Sequence, residues 1–335
     1  MKAALRGQTP GLDQIELADI NDPGKPGHGE IRVRILSNSL NFHDYNVAIG
    51  VLPAESGRLL MADGAGVVEE IGEGVTEFAV GDHVVSLFFP NWVKAECPQA
   101  DFSYTPGDGI DGYATSYVVR PENWFTHAPK GWTHHEAATL PTAGLTAWRA
   151  LVVEGKIKAG DDVLILGTGG VSIFALQFAL KMGARVWATT SSKEKAKWLL
   201  EQGVAGVVNY REEENWGEKI FEMTGNRGVD HVVEIGGPGT LAQSIAASRI
   251  GGHITLIGVF TGISGDVPTA AIMAKQLTIK GVTVGNRSEQ QDMIRALEAT
   301  DIHPMIDKVF PLEEIQAAFE YQRDGKHMGK ICLDV

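Results

Sequence analysis

The chain has 335 residues and a formal net charge of −13, with 44% hydrophobic and 21% charged residues, which is enough for two domains of ordinary size, each with its own core. The acidic balance argues against a nucleic-acid polymer as the main partner, because phosphate backbones are held by clustered Lys and Arg. No apolar stretch reaches the roughly 18 residues of a membrane-spanning helix, and the N-terminal MKAALRGQTPGL carries neither a long apolar run nor a cleavage-like site, so the expected setting is cytoplasmic, with no membrane contact. Cys97 and Cys332 are too few for a disulfide framework or a four-cysteine zinc site, and both are expected to be reduced thiols.

Up to about residue 120 the pattern predicts short strands between Gly/Pro/Asp-rich turns: Lys2 to Leu5, Ile31 to Leu36, Ala65 to Ile71 and His83 to Phe88. After Trp124 helices and strands alternate. The predicted strands are Asp162 to Leu166, Arg185 to Thr189, Gly206 to Val208, His231 to Glu234, His253 to Ile257 and Thr278 to Val284, an order that implies a doubly wound parallel sheet. A helix near Ser288, another near Leu312 and a final strand ending in ICLDV are expected to return to the first, mostly β, domain. The HHEAATL segment predicts a helix opened by His134 and His135, both read as surface or capping residues.

The first strand of the alternating region runs into Gly167, Thr168, Gly169, Gly170 and Val171. Glycines there allow a sharp turn and a close ligand approach, and the apolar helix that follows offers its N-terminal amides to a pyrophosphate. Ser172 replaces the third glycine of the dinucleotide pattern and is small enough for close helix–strand packing. Enzymes that prefer NAD usually carry an acid about 20 residues later, to bind the ribose 2′-hydroxyl. Here the window reads WATTSSK, with Ser191, Ser192 and Lys193 suited to a 2′-phosphate and no acid before Glu194. NADPH is therefore the expected cofactor.

Several motifs together resemble the medium-chain dehydrogenase/reductase superfamily: Asn41-Phe42-His43-Asp44, Asp63-Gly64-Ala65-Gly66-Val67-Val68 with Gly72-Glu73-Gly74-Val75 and Gly81-Asp82-His83-Val84, Ala138-Thr139-Leu140-Pro141, the glycine turn, and Glu234-Ile235-Gly236-Gly237. The chain is similar, within that superfamily, to zinc-free members related to quinone oxidoreductases. The resemblance implies an α/β fold in which a Rossmann doubly wound parallel sheet, residues 124–288, is inserted into a mostly β GroES-like catalytic domain, residues 1–123 and 289–335. It also places the catalytic zinc ligands of the zinc-dependent relatives at Asn41, Ala62 and Thr142, none of them a thiolate or imidazole, so no catalytic metal is expected. The lobe that often carries four structural cysteines corresponds to Phe88 to Gly112, which holds only Cys97.

The same resemblance supplies the candidate site. Asn41 would donate its amide to a substrate carbonyl or the nicotinamide ribose; His43 would relay or deliver a proton; Tyr45, one place earlier than the relatives' tyrosine, would offer a phenol. Asp44 and Asp63 would support a neighbouring base and Thr142 would line the pocket floor; apart from the resemblance, the aromatic cluster Phe88, Phe89 and Trp92 would either clamp a flat apolar substrate or pack as core. Tyr210 would contact the 2′-phosphate, with Arg211 or Lys326 adding charge, and Gly236, Gly237, Gly258, Val259 and Phe260 would meet the nucleotide through their backbone. Without a Lewis acid, a hydride acceptor that delocalises its charge is favoured. The expected activity is NADPH-dependent reduction of a small molecule, a quinone, enone or alkenal. The alternatives are a zinc-free alcohol dehydrogenase or ketone reductase, and an NADPH-binding structural or sensor protein of low turnover. A homodimer through the strand near Thr278 to Val284 is expected.

Overall fold

The computed structural model describes residues 1–94 and 101–335; the expected lobe cysteine, Cys97, lies outside the described residues. Contacts divide the chain into two compact units, Met1–Leu145 with Val284–Val335, and Thr146–Thr283. Among the described residues seven strands precede the first crossing: β1 (Lys2–Leu5), β2 (Glu16–Asp19), β3 (Glu30–Ser39), β4 (Gly64–Ile71), β5 (His83–Ser86), β6 (Tyr117–Pro121) and β7 (Phe125–His127). The second unit holds β8 (Asp162–Leu166), β9 (Arg185–Thr190), β10 (Gly206–Asn209), β11 (Val229–Glu234), β12 (Ser248–Leu256) and β13 (Thr278–Gly281). After the return come β14 (Ile306–Pro311) and β15 (Lys330–Asp334).

In the first unit β3 is the organising strand. It pairs antiparallel with β4, β6 and β15, in a sheet ordered β14-β15-β3-β4-β5-β7. Ile31, Val33 and Ile35 alternate inward and meet Val68, Val84, Tyr113 and Phe125 in a buried cluster, the period-two signature of a half-buried strand. The crossings between units fall after Leu145 and before Val284, where the change in sequence pattern had placed them after residue 123 and before 289. Pairing explains the difference: β7 bonds to β5 in the first sheet, and Arg287, at the start of the helix Arg287–Thr300, donates to Phe125 O.

The second unit is a six-stranded parallel sheet ordered β10-β9-β8-β11-β12-β13. Chain order reverses between β8 and β11, and in such sheets the crevice at the carboxyl ends of those strands is where ligands bind. The helix Gly170–Lys181 buries Ile173, Phe174, Ala175, Leu176, Phe178 and Ala179, as its apolar surface requires. The last predicted strand is shorter than expected, ending at Gly281; Val284, at the return to the first unit, has φ +48°, which a β-branched residue does not adopt in a continuing strand. The helix expected near Leu312 begins as a tight turn, Leu312–Glu314, and continues as Ile315–Arg323. Cys332 is a buried free cysteine, and among the described residues no helix is long and apolar enough to cross a membrane.

Glu234 closes the end of β11. Its fully buried carboxylate accepts Gly236 N at 2.7 Å, Gly237 N at 3.0 Å and Thr240 Oγ1 at 2.6 Å, with Ser244 Oγ on the second oxygen. An acceptor-only group with this many donors cannot be replaced by an amide without aiming N–H at N–H. Glu234→Gln is expected to cost about 2 kcal/mol and to loosen the Gly236–Gly237 turn, read as a lower melting temperature together with faster amide exchange at those two residues; an unchanged melt would show that the turn does not depend on the carboxylate.

Candidate functional site

In the second unit, β8 ends at Leu166 and the chain turns through Gly167, at φ +70°, into a helix capped by Gly169. A Cβ at either glycine would meet no atom within 4 Å, so the space in front of the turn is open. The first-turn amides of this helix have no intrahelical acceptor and face an anion site by construction. Ser172 fits where the third glycine was expected because it is buried and its hydroxyl donates to Leu166 O at 2.7 Å, tying helix to strand. Gly258 follows β12, and a Cβ there would lie 1.9 Å from Ile235 O, so backbone proximity at the carboxyl ends of β11 and β12 requires it. Val259 and Phe260 beside it are exposed.

The end of β9 carries Thr190, Ser191 and Ser192. Tyr210 N donates to Thr190 O at 3.0 Å, which brings the Tyr210 backbone beside that strand end. Ser192 caps the helix Lys193–Glu201 by accepting Lys195 N at 3.1 Å. The Lys193 ammonium is exposed and lies 3.5 Å from Glu212. These residues fit a dinucleotide: an open glycine turn, a helix N-terminus, and hydroxyls with a cation at the end of the second strand where an acid would stand for NAD. Lys326 belongs to the first unit.

The first unit gathers a buried polar cluster around Asn41, which stands before the helix Phe42–Ala48. Asn41 N donates to Asp44 Oδ2 at 2.9 Å, and Ala62 N donates to Asp44 Oδ1 at 2.8 Å, so Asp44 pins the helix start to the loop before β4. Asp63 is fully buried; its Oδ2 accepts Asn41 Nδ2 at 2.8 Å and Ser39 Oγ at 3.1 Å, while Oδ1 accepts Thr142 Oγ1 at 2.6 Å. Thr142 sits on a wide helical turn, Leu140–Gly144, whose Gly144 N reaches back to Thr139 O. Such turns are frequent at functional sites. The Lys330 ammonium, at the head of β15, donates to Leu40 O and to Asn41 Oδ1, both at 2.5 Å.

Burial raises Asp63 to about 6 despite Lys330 and the donors Thr142 and Asn41, and burial lowers Lys330 against the pull of Asp63 and Asp44. His43 is also largely enclosed. Burial alone would lower it, but Asp108 and Asp44 outweigh that cost and hold it at about 9. Its Nδ1 lies 3.5 Å from Asp44 Oδ1 and its Nε2 3.3 Å from Asp108 Oδ2, and Phe88 packs edge-on against the ring.

Asn41, Asp44, Asp63 and Thr142 thus share one cluster, and His43 adjoins it through Asp44. Three expectations are corrected. The Asn41 amide does not face outward to a substrate carbonyl: its nitrogen lies on Asp63, Asp44 and Ser39 O, and its oxygen on Lys330. Tyr45 turns away, stacking on Phe42 and packing toward Phe319 in an apolar core. Phe88, Phe89 and Trp92 are buried core rather than an open clamp, because their rings pack on one another and on Phe102. The His134–His135 segment does open a helix, capped by Thr133, but neither ring is simply solvated: His134 stacks on His83, and His135 Nδ1 lies 2.9 Å from Ser37 Oγ.

Lys330 and Asp108 escaped the reading of the sequence. For Lys330 the signal was a cation heading the otherwise apolar ICL strand; for Asp108, in a Gly-Asp-Gly turn 65 residues from His43 by number, there was none. Among the described residues no group of three or more His, Cys, Asp and Glu side chains is arranged to hold a metal ion.

Residues 27–130 match the family model of the alcohol dehydrogenase GroES-like domain, and residues 170–299 that of the zinc-binding dehydrogenase. A zinc-type alcohol dehydrogenase-like protein of Schizosaccharomyces pombe is 38% identical over 100% of this chain and 99% of that protein. An acryloyl-coenzyme A reductase of Sulfurisphaera tokodaii is 27% identical over 99% of each chain. A crystal structure of an NAD-dependent alcohol dehydrogenase superposes with a TM-score of 0.91 at 33% identity, covering 100% of both chains. With the mixed first sheet, the doubly wound second sheet and these full-length likenesses, the chain belongs to the medium-chain dehydrogenase/reductase superfamily and is an oxidoreductase of the kind that binds a nicotinamide cofactor.

Proposed function

We propose that the protein is a zinc-independent, NADPH-dependent reductase of α,β-unsaturated carbonyls, with quinones as related acceptors. The observation that carries the reading is the Lys330 ammonium bonded to Asn41 Oδ1 at 2.5 Å. Of the three positions that correspond to zinc ligands, Asn41 is spent within the cluster, Ala62 has no side-chain donor atom, and Thr142 is hydrogen-bonded to Asp63. A soft N/S ligand set is missing and a cation already stands there, so a catalytic zinc does not fit. NADPH, when bound, supplies the hydride. The negative charge that follows must then be met by hydrogen-bond donors, which suits an acceptor that spreads it over an enolate or a hydroquinone anion. The name of the Sulfurisphaera tokodaii relative supports a conjugated acyl acceptor.

A second reading, a zinc-free alcohol dehydrogenase, is favoured by the names of the other two relatives. NADPH oxidation in EDTA against enones, alkenals, quinones and simple ketones separates the two. Turnover of conjugated acceptors is expected to be unaffected by EDTA; activity lost in EDTA and restored by zinc would refute the reading, ketone turnover alone would favour the second, and tight NADPH binding with no turnover would indicate a sensor or structural role. Lys193→Ala is expected to weaken NADPH binding about tenfold or more and NADH binding little, since a 2′-phosphate contact is charge-assisted; equal losses in titration calorimetry would sink the cofactor assignment.

His43 serves here as a fixed positive charge, its two nitrogens facing Asp44 and Asp108. Its native value of about 9 lies above the ordinary 6.5, so the ion pairs contribute stability that is complete below about pH 6.5 and lost as pH rises through about 9. His43→Gln is therefore expected to lower the melting temperature more at pH about 6 than at pH about 10. A deficit independent of pH would show that the imidazolium is not formed. A homodimer through the β13 edge is supported by the exposed apolar side chains of Phe260, Ile263, Val267 and Met273 in the same unit. Ile263→Glu with Met273→Glu should turn the sedimenting species into a monomer, and an unshifted species would place the interface elsewhere.

A further inference from the structure

We propose that Thr261 is a positioning residue for the nicotinamide cofactor: its hydroxyl clasps the loop after β12 to the turn after β11, and so sets the shape that these two strand ends present to the nucleotide. The inference rests on the reading that the nucleotide lies at the carboxyl ends of these strands, and every residue it uses belongs to the second unit.

The clasp follows from what the turn leaves over. The helix Pro238–Ala247 is entered through Gly237, at φ +88°, which has no side chain with which to cap it. Glu234 takes the amides of Gly236 and Gly237, and Pro238 has none to offer. The amide of Gly239 and the carbonyl of Gly236 are both answered by Thr261. Its Oγ1 accepts Gly239 N at 2.8 Å and donates to Gly236 O at 2.8 Å, and its own N donates to Gly236 O at 2.8 Å. A cap supplied from 22 residues further along the chain thus stands in for the missing one at the helix start. One hydroxyl acts as donor and acceptor at once, which Ser can reproduce and no apolar side chain can.

The two segments that Thr261 joins also touch through their backbones. A Cβ on Gly237 would lie 3.0 Å from Gly258 O and 3.1 Å from Val259 Cα. Ile257 N and Gly258 N donate to Glu234 O at 2.8 and 3.2 Å, so β12 is held to β11 as far as Gly258. Beyond it Val259 and Phe260 are exposed, and Thr261 returns the chain to Gly236. The clasp therefore fixes the course of the two residues expected to meet the nucleotide through their backbone. From there the chain crosses the surface with no buried residue from 262 to 274, until the Lys275 ammonium donates to Ile245 O at 2.9 Å and to Ala246 O and Ser248 O at 2.7 Å. The segment is fastened at both ends of one helix, and Thr261 is the fastener at the strand ends.

The test uses full-length protein, with NADPH and NADH titrated by calorimetry. Thr261→Val keeps the shape and loses the hydroxyl; it is expected to raise the Kd for NADPH about fivefold or more, the order of one neutral hydrogen bond, with the KM rising in step and kcat falling less. Thr261→Ser should restore wild-type binding. Lys275→Met is the control for general loosening: it undoes the far end of the same segment, and is expected to lower the melting temperature at least as much while leaving the Kd within about twofold, since distant sites act independently. In hydrogen exchange Thr261→Val should deprotect Gly239, and Thr261→Ser should not. An unchanged Kd in Thr261→Val, or equal losses of affinity in Thr261→Val and Lys275→Met, would overturn the proposal. Should Thr261→Val fail to fold, Thr261→Ala carries the same expectations. A wild type that binds NADH instead defeats the NADPH assignment alone, and the same comparison is then read with NADH. A wild type that binds neither nucleotide defeats the cofactor reading and the positioning role with it, while Gly239 exchange still decides whether the hydroxyl joins the two strand ends.

Discussion

An ammonium ion taken out of water must have its charge neutralised and its donors accepted, and Lys330 imposes that demand on the polar interior of the first unit. A buried charge left without partners costs several kcal/mol, so the positions around it are tightly constrained: a backbone carbonyl at Leu40, an amide oxygen at Asn41, and the carboxylates of Asp63 and Asp44 beyond. Each of those groups in turn fixes another. Asp44 holds the start of a short helix to the loop before β4, and Asp63 holds the wide turn that carries Thr142. Lys330 thus places a positive charge inside the first unit, and the groups around it are oriented by the hydrogen bonds it donates.

The second unit shows the same requirement met by a carboxylate. Glu234 gathers the amides and hydroxyls that end β11, and the strand ends at the switch point are shaped around it. Buried polar groups in both units therefore act less as added stability than as instructions for where the backbone must turn, since a fully satisfied network tolerates one geometry.

How much of this was legible in the sequence follows from range. The strands and the glycine turn were readable because their signals are local: apolar alternation in β3, an apolar run in β8, glycines at Gly167 and Gly169. The unit boundaries were displaced because β7 is short and its allegiance is set by pairing with β5, which no neighbouring residue encodes. Asn41, Asp44, Asp63 and Thr142 could be picked out by resemblance, but the roles of their atoms could not, because a side chain's direction depends on its partners. Asn41 turned inward because Lys330, 289 residues away by number, claims its oxygen. Tyr45 turned to the core because Phe319 and its neighbours leave an apolar surface beside it.

That separation has a consequence for how the protein comes into being. Asn41 and Asp63 emerge early in synthesis and the whole of the second unit follows before β15 brings Lys330 to them. The second sheet, built of successive neighbours, can fold as a unit while the first still waits for its last two strands. Until then two acids and an amide have no cation to answer them, so the order of this polar cluster is among the final properties the chain acquires. A product truncated before β15 contains the whole of the second unit and lacks the cation around which the acid cluster of the first is ordered.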